Sequence, residues 1–197
     1  MTSKLNDAAL NQLFIDGRTV HGFLPDEITD AQIHEIYDLI KWAPTAFNLQ
    51  AARFVFLKSK EAKARLMPAL TPGNVPQVES AGVTVIIAYD TQFYEHLPSQ
   101  FTAMDAKAIF DKNPEAANIA GFRNGSMQGG YLILGARALG YACGAMSGFD
   151  NAKVNAEFFA DGRFKSNFLL NIGHQADTTK IWPRGPRLAF DQVAQIL

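Results

Sequence analysis

Cysteine is almost missing from this chain of 197 residues. Cys143 stands alone, which excludes an internal disulfide and a cysteine metal cluster, and its place between Ala142 and Gly144 near a strand end predicts a buried, inert thiol. The four histidines, His21, His34, His96 and His174, show no metal-ligand spacing, so no metal is expected. Long apolar runs are lacking as well. Val83 to Tyr89 is about a third of the roughly 20 residues that cross a bilayer, and Met1-Thr2-Ser3-Lys4-Leu5 lacks the apolar stretch of a signal peptide. The cytoplasm is therefore the expected compartment, with no membrane partner. Nor is there an excess of one charge: 18 Lys and Arg balance 19 Asp and Glu, leaving a net charge of -1, which offers no basic field to nucleic acid. Small molecules are the expected ligands. Gly-x-Gly-x-x-Gly and Walker-type loops are absent, and Ser147-Gly148 lacks the glycine of a nucleophile elbow because Ala145 stands two residues before the serine.

What is present fits one enzyme-sized domain, residues 1-197, with a single substantial core: 48% of the residues are apolar and 19% charged. Ile33, Ile36, Tyr37 and Ile40 recur at helical spacing behind a capping box of Thr29 and Gln32, flanked by the staple pair Ile28 and Ile33. Pro44 should stop that helix. Phe54 to Leu57 then reads as a strand, and between the two lies Trp42-Ala43-Pro44-Thr45-Ala46-Phe47-Asn48-Leu49-Gln50, a loop whose polar groups suit a flat ligand rimmed with heteroatoms. Thr45 and Asn48 could equally satisfy the loop's own backbone.

Other elements follow from pattern. Leu5 to Phe14, capped by Asn6, and Lys60 to Ala69, capped by Ser59, are expected helices, with Gly73 to Gln77 a loop. The nearly unbroken β-branched run Val83 to Tyr89 predicts a central strand buried on both faces. Residues 90-118 show no clean period and read as an irregular insert covering a pocket. Glu115 to Leu139 reads as a helix whose many glycines suggest another helix packed very close, in the same chain or a second subunit. Tyr141 to Met146 and Phe168 to Ile172 complete the strands. Two polar turns suit a phosphate: Arg18, Thr19 and His21 near the N-terminus, and Arg184 and Arg187 bracketed by prolines in the tail.

In order along the chain, these segments resemble the nitroreductase family of FMN-dependent enzymes. Arg18-Thr19-Val20-His21 resembles the family's Arg-Ser/Thr-x-Arg phosphate motif, and Ala43-Pro44-Thr45-Ala46-Phe47-Asn48-Leu49-Gln50 its Ala-Pro-Ser-x-x-Asn-x-Gln loop. Asn74 and Gln77 stand where the family meets the pyrimidine side of the flavin, Met146-Ser147-Gly148-Phe149 where its backbone approaches flavin N5, and Arg184 and Arg187 where it grips the phosphate a second time, Arg187 ahead of Arg184. His21 replaces the usual arginine and Gln77 a lysine found in some members. Lys41 to Thr45, Phe122 to Gln128 and Ala145 to Asp150 are most similar to the malonic semialdehyde reductase branch, which serves uracil breakdown.

The resemblance implies an α+β sandwich, a mixed and mainly antiparallel sheet flanked by helices, with FMN at the interface of a homodimer. It implies NADH or NADPH as donor and flavin N5 as the seat of the chemistry, so that no catalytic side chain is needed. The acceptor would be malonic semialdehyde or, alternatively, a nitroaromatic or quinone; a flavin carrier or sensor without turnover is the rival of another class, and a structural domain without cofactor a third. Trp42, Phe47 and the insert would wall the acceptor pocket, with Arg123 or His21 as a carboxylate anchor.

Overall fold

The computed structural model describes residues 3–176 and 181–197. At its centre is a four-stranded sheet of β1 (Ala52–Leu57), β2 (Val83–Asp90), β3 (Ala142–Met146) and β4 (Phe164–Gly173) in the order β1-β2-β4-β3, with every pairing antiparallel. All eight residues of β2 are buried, as its unbroken apolar run predicts for a strand covered on both faces. The parallel element of the expected mixed sheet is a single bridge, in which Thr19 lies beside Cys143 on the edge strand β3.

Nine α-helices are found among the described residues: α1 (Asp7–Leu10), α2 (Asp30–Ile40), α3 (Lys60–Leu66), α4 (Val75–Ser80), α5 (Leu97–Gln100), α6 (Lys107–Phe110), α7 (Pro114–Ala138), α8 (Asn151–Phe158) and α9 (Phe190–Val193). Alternation along β2 sorts them into layers. Val83, Val85 and Ile87 face Ile36 and Ile40 of α2 and Leu132 and Ala136 of α7. Ile86 and Ala88 face Leu66 of α3, Val78 of α4 and Val154 of α8. Each Val, Leu or Ile side chain among them contributes about 1.5–3 kcal/mol on burial. The capping box forms as expected, with Thr29 accepting from the Gln32 amide and Gln32 from that of Thr29, and the staple residues Ile28 and Ile33 join one core cluster.

The structure departs from the sequence reading at three places. Gly73 to Gln77 is not a loop: a tight turn over Pro72–Asn74 leads into α4, whose Pro76 lies in the first turn where its missing N–H costs nothing. The insert is shorter than 90-118, because Asp90 ends β2 and α7 begins at Pro114 behind the cap Asn113; between them α5 and α6 are held by Phe93, Leu97 and Phe110, which pack with Leu49 and Ala51. Finally, within the chain most glycines of α7 admit the sheet: a side chain at Gly121 or Gly125 would meet Tyr89 and one at Gly129 would meet Phe168, while Gly135 admits a helix, through Ile40 of α2, and a side chain at Gly130 would meet nothing within 4 Å.

Candidate functional site

The loop after α2 is where the backbone departs furthest from ordinary geometry. Among the described residues, the non-glycine positions with positive φ are Phe47 at 49°, Asn48 at 50° and Gln50 at 41°. Left-handed conformations at such residues cost on the order of 1–3 kcal/mol each and persist only where the surroundings impose them. Here the surroundings are specific. One face of α7 supplies Asn124, Gln128 and Tyr131 at helical spacing: the Asn124 carbonyl accepts from the Ala46 amide at 3.0 Å, that of Gln128 from the Ala52 amide at 2.8 Å, and the Tyr131 hydroxyl donates to the Pro44 carbonyl at 3.1 Å. From the other side the insert holds Phe47, whose ring packs edge-on to Phe101 and Phe110 at 5.3 and 6.3 Å, and the Asn48 amide donates to the Gln100 carbonyl at 3.1 Å. Within the loop, Gln50 donates its side chain to Asn48 and its backbone N–H to the Thr45 hydroxyl.

This loop and the end of α2 enclose a cavity of about 440 Å³ lined by Tyr37, Lys41, Trp42, Ala43, Pro44, Thr45, Asn48 and Gln50. Pro44, Thr45, Asn48 and Gln50 are thus brought together, with the 81% exposed Trp42 at the rim. One expected wall residue and one expected anchor do not line it. Phe47 turns into the aromatic cluster of the insert, which lines no part of this cavity, and Arg123 is exposed on α7. Lys41, the cation that does line it, was quoted in the sequence only as part of a resembling segment.

A second cavity, about 410 Å³, collects cations. Arg18, Thr19 and His21 from the first turn meet Arg184 and Arg187 from the tail, across more than 160 residues of sequence, with Trp182 and Phe14 completing the wall. The Arg18 guanidinium donates to the Trp182 carbonyl and that of Arg184 to the Ile15 carbonyl, while Arg187 donates to the carbonyls of Gly185 and Pro186 at 2.9 and 3.1 Å. A further arginine, Arg137 in the last turn of α7, lies across Gly17, where any side chain would strike its guanidinium, and lines the same cavity. Sequence reading missed it, since a basic residue at a helix C-terminus is common for electrostatic reasons alone. Among the described residues none of these four guanidinium groups pairs with a carboxylate.

From the cationic cavity runs the edge strand β3. Thr19 is bridged to Cys143 at the start of β3, and Met146, Ser147 and Gly148 stand at its far end, about 16 Å on for five extended residues. The Gly148 carbonyl accepts from the Thr71 amide at 3.0 Å, the Thr71 hydroxyl at 3.0 Å and the Asn74 side chain at 2.9 Å. A Cβ at Gly148 would lie 2.7 Å from the Asn74 side-chain nitrogen and 2.8 Å from the Thr71 hydroxyl, so any other residue would push these two side chains aside. Gln77 in turn donates to Asn74 at 3.4 Å and to the Gly73 carbonyl. Asn74, Gln77, Ser147 and Gly148 thus form one cluster, in which Asn74 fixes the Gly148 loop. Cys143 is 3% exposed, and burial pushes its thiol up to about 12, opposed weakly by Arg137, so the inert reading of this residue stands. The described residues contain no cluster able to hold a metal ion, and no helix among them is long and apolar enough to cross a membrane.

The architecture is an α+β sandwich that presents a cationic cleft beside an open strand edge. Residues 17–174 match the model of the nitroreductase family, and the chain belongs to that family. A provisional NADH dehydrogenase/NAD(P)H nitroreductase of Rhodopseudomonas palustris is 51% identical over the whole of both chains. Among solved structures, an enone reductase of gut-bacterial fatty acid saturation superposes with a TM-score of 0.84 at 26% identity over 98% of this chain and 99% of its own. A nitroreductase-type protein of Exiguobacterium sibiricum in complex with FMN superposes with a TM-score of 0.82 at 21% identity over the full length of both.

Proposed function

We propose that this chain is a single-domain, FMN-dependent oxidoreductase that takes reducing equivalents from NADH or NADPH and delivers them to a small carbonyl compound, most specifically malonic semialdehyde, giving 3-hydroxypropanoate. The observation that carries the reading is the gathering of Arg18, Arg184 and Arg187 with Thr19 and His21 at one end of β3, and of Gly148 with Asn74 and Gln77 at the other. This is the spacing and chemistry that an elongated phosphate monoester with a flat heteroaromatic head requires. FMN when bound supplies the hydride chemistry. The protein's part is to bind and orient: the arginines, Thr19 and His21 receive the phosphate, Asn74 and Gln77 meet the pyrimidine side of the ring, and the backbone at Met146, Ser147 and Gly148 approaches its centre. No side chain is assigned as catalytic acid or base.

A second copy of the chain completes the site in this reading. The cavity of Pro44, Thr45, Asn48 and Gln50 shares no lining residue with that of Arg18, so one protomer would offer the loop to a cofactor held mainly by its partner. Large apolar side chains left exposed on α7, namely Ile119, Phe122 and Met127, and on the tail, Leu188, Phe190 and Ile196, are suited to burial in such an interface. Light scattering should give twice the chain mass; a monomer that retains its flavin would count against this arrangement.

The function is tested on purified protein. It should be yellow, release about one FMN per chain on heating, and oxidise NADH or NADPH through many turnovers with ping-pong kinetics. Release of FAD, or of no flavin, overturns the assignment, and a single bleaching event without turnover indicates a carrier. Specificity constants then decide the acceptor: a preference of well over tenfold, about 1.4 kcal/mol in the transition state, for malonic semialdehyde over an uncharged aldehyde and a nitroaromatic supports the semialdehyde reading. Equal constants leave a broad nitroaromatic or quinone reductase; the Rhodopseudomonas relative is named an NADH dehydrogenase/NAD(P)H nitroreductase.

A further inference from the structure

An acceptor that carries a carboxylate needs a cation in its cavity, and neither Arg123 nor His21 lines the cavity of Trp42. Lys41 does, and among the described residues that line it there is no other cation and no carboxylate. We propose that Lys41 is the carboxylate anchor of this site and that Asp38 is its built-in competitor, displaced from the Lys41 ammonium when a short aldehyde acid binds. The inference rests on the reading given above, that the acceptor enters beside Thr45 and Asn48.

The geometry around Lys41 favours such an exchange. Its backbone is fixed, because the residue closes α2 and its N–H donates to the Tyr37 carbonyl at 2.9 Å. Its ammonium is held from two directions: Asp38 at 2.6 Å, three residues back on the helix, and the Trp42 ring, whose centroid is 5.5 Å away. The Trp42 face keeps the charge beside the cavity by a cation–π contact. The partner on the other side is easily replaced, since the Asp38 side chain is 61% exposed and an ion pair so open to water holds weakly. That the ammonium stabilises a neighbouring carboxylate is already visible in Asp38, whose carboxyl it holds below the ordinary range through their hydrogen bond. A substrate carboxylate in the cavity would meet the same ammonium, with the Tyr37, Asn48 and Gln50 side chains in the same wall. An uncharged aldehyde or a nitroaromatic gains nothing from this contact.

The two residues therefore act in opposite directions, which makes the test sharp. In the holoenzyme, Lys41→Gln should lower kcat/KM for malonic semialdehyde about tenfold, mainly through KM, and leave propanal and a nitroaromatic within about twofold; Lys41→Arg should retain the wild-type preference. Asp38→Asn, which frees the ammonium, should raise kcat/KM for the semialdehyde by about two- to fivefold without changing that for propanal. A readout independent of turnover is malonate binding followed by tryptophan fluorescence, because Trp42 is one of only two tryptophans in the chain. Binding should weaken in Lys41→Gln and tighten in Asp38→Asn. If the wild type prefers the semialdehyde but Lys41→Gln keeps the full preference and the malonate affinity, the anchor lies elsewhere and the proposal fails while the acceptor reading stands. If the wild type shows no preference among the three acceptors, the acceptor reading itself fails and the anchor falls with it.

Discussion

Replacing Asp90 by alanine should destabilise the protein by about 3–5 kcal/mol, the range for removing one partner of a buried ion network, and on that estimate lower its melting temperature by about 6–20 °C for a chain of this size. The Asp90 side chain is only 1% exposed at the end of the central strand β2, yet it carries a charge. It is tolerated because two guanidinium groups and a backbone amide converge on it: Arg53 at 2.7 Å, Arg163 at 3.1 Å to each carboxylate oxygen, and the Gln92 N–H at 2.8 Å. The alanine variant removes the shared acceptor and leaves two positive groups, 26 and 30% exposed, with Arg53 stripped of its counter-charge and Arg163 left only the half-exposed Glu95 at 3.0 Å. Substituting Arg53, Asp90 and Arg163 together by apolar residues of similar volume should cost less than Asp90→Ala alone, since the penalty comes from unpaired charge and not from the loss of attraction as such. Denaturant midpoints of the variants decide the matter. A loss under about 1 kcal/mol in Asp90→Ala would mean that water solvates the two arginines and the network is structurally idle.

The same network shows where sequence reading stops. Arg53, Asp90 and Arg163 lie on or beside β1, β2 and β4, separated by 37 and 73 residues, and no local pattern links them. What could be read was local and periodic. β2 announced its central place by the seven residues Val83 to Tyr89, a run broken in its interior only by Thr84, and α2 by its capping box and apolar stripe, because those signals depend only on neighbours in sequence. α4 was missed since Gly73, Asn74 and Pro76 each favour a turn when taken alone; their tight turn becomes the entry to a helix only when Val78 is buried in the core. The single-turn helices of the insert have no period to detect and depend on Phe93 and Phe110 packing against residues 40 to 60 positions earlier, such as Leu49 and Ala51. The site divides in the same way. Arg18, Thr19, Pro44, Thr45, Asn48 and Gly148 stand in motifs legible in order along the chain, whereas Arg137, Lys41 and the α7 trio Asn124, Gln128 and Tyr131 matter through tertiary placement. The trio did carry a usable signal, polar residues at i, i+4 and i+7 of a predicted helix, which is the spacing of one face. That Phe47 and Arg123 do not line the cavity of Trp42 could not be read from the sequence, because sequence order cannot say which way a side chain turns on a strained loop or a helix.

For Arg18→Ala the expected result is a loss of FMN affinity of about 10- to 100-fold, from the roughly 1.5–3 kcal/mol of one charge-assisted hydrogen bond. Riboflavin, which has the same ring and ribityl chain but no phosphate, should lose far less. The prediction follows from the cavity in which Arg18 sits: four guanidinium groups and His21 around about 410 Å³, a concentration of positive charge with no carboxylate against any of the four arginines among the described residues. Such charges repel one another until an anion enters, so the affinity should also fall steeply with added salt in the wild type and less steeply in the variant. Arg18 has a second task that must be separated from the first. Its guanidinium donates to the Trp182 carbonyl and so helps to hold the tail that brings Arg184 and Arg187 into place. If holding the tail were its main role, Arg18→Ala would weaken FMN binding no more than the double variant Arg184→Ala/Arg187→Ala, and Arg18→Lys, which keeps a charge but not the reach and fork of the guanidinium, would recover little. If the phosphate is its main partner, Arg18→Lys should recover a good part of the FMN affinity, and Arg187→Ala should show a loss of its own, larger than that of Arg184→Ala. Arg123→Ala, on the exposed side of α7, serves as the control and should bind both flavins as the wild type does. Fluorescence titration of the apoprotein with FMN and with riboflavin measures all of these, and equal losses for the two ligands in Arg18→Ala would remove this arginine from the phosphate site.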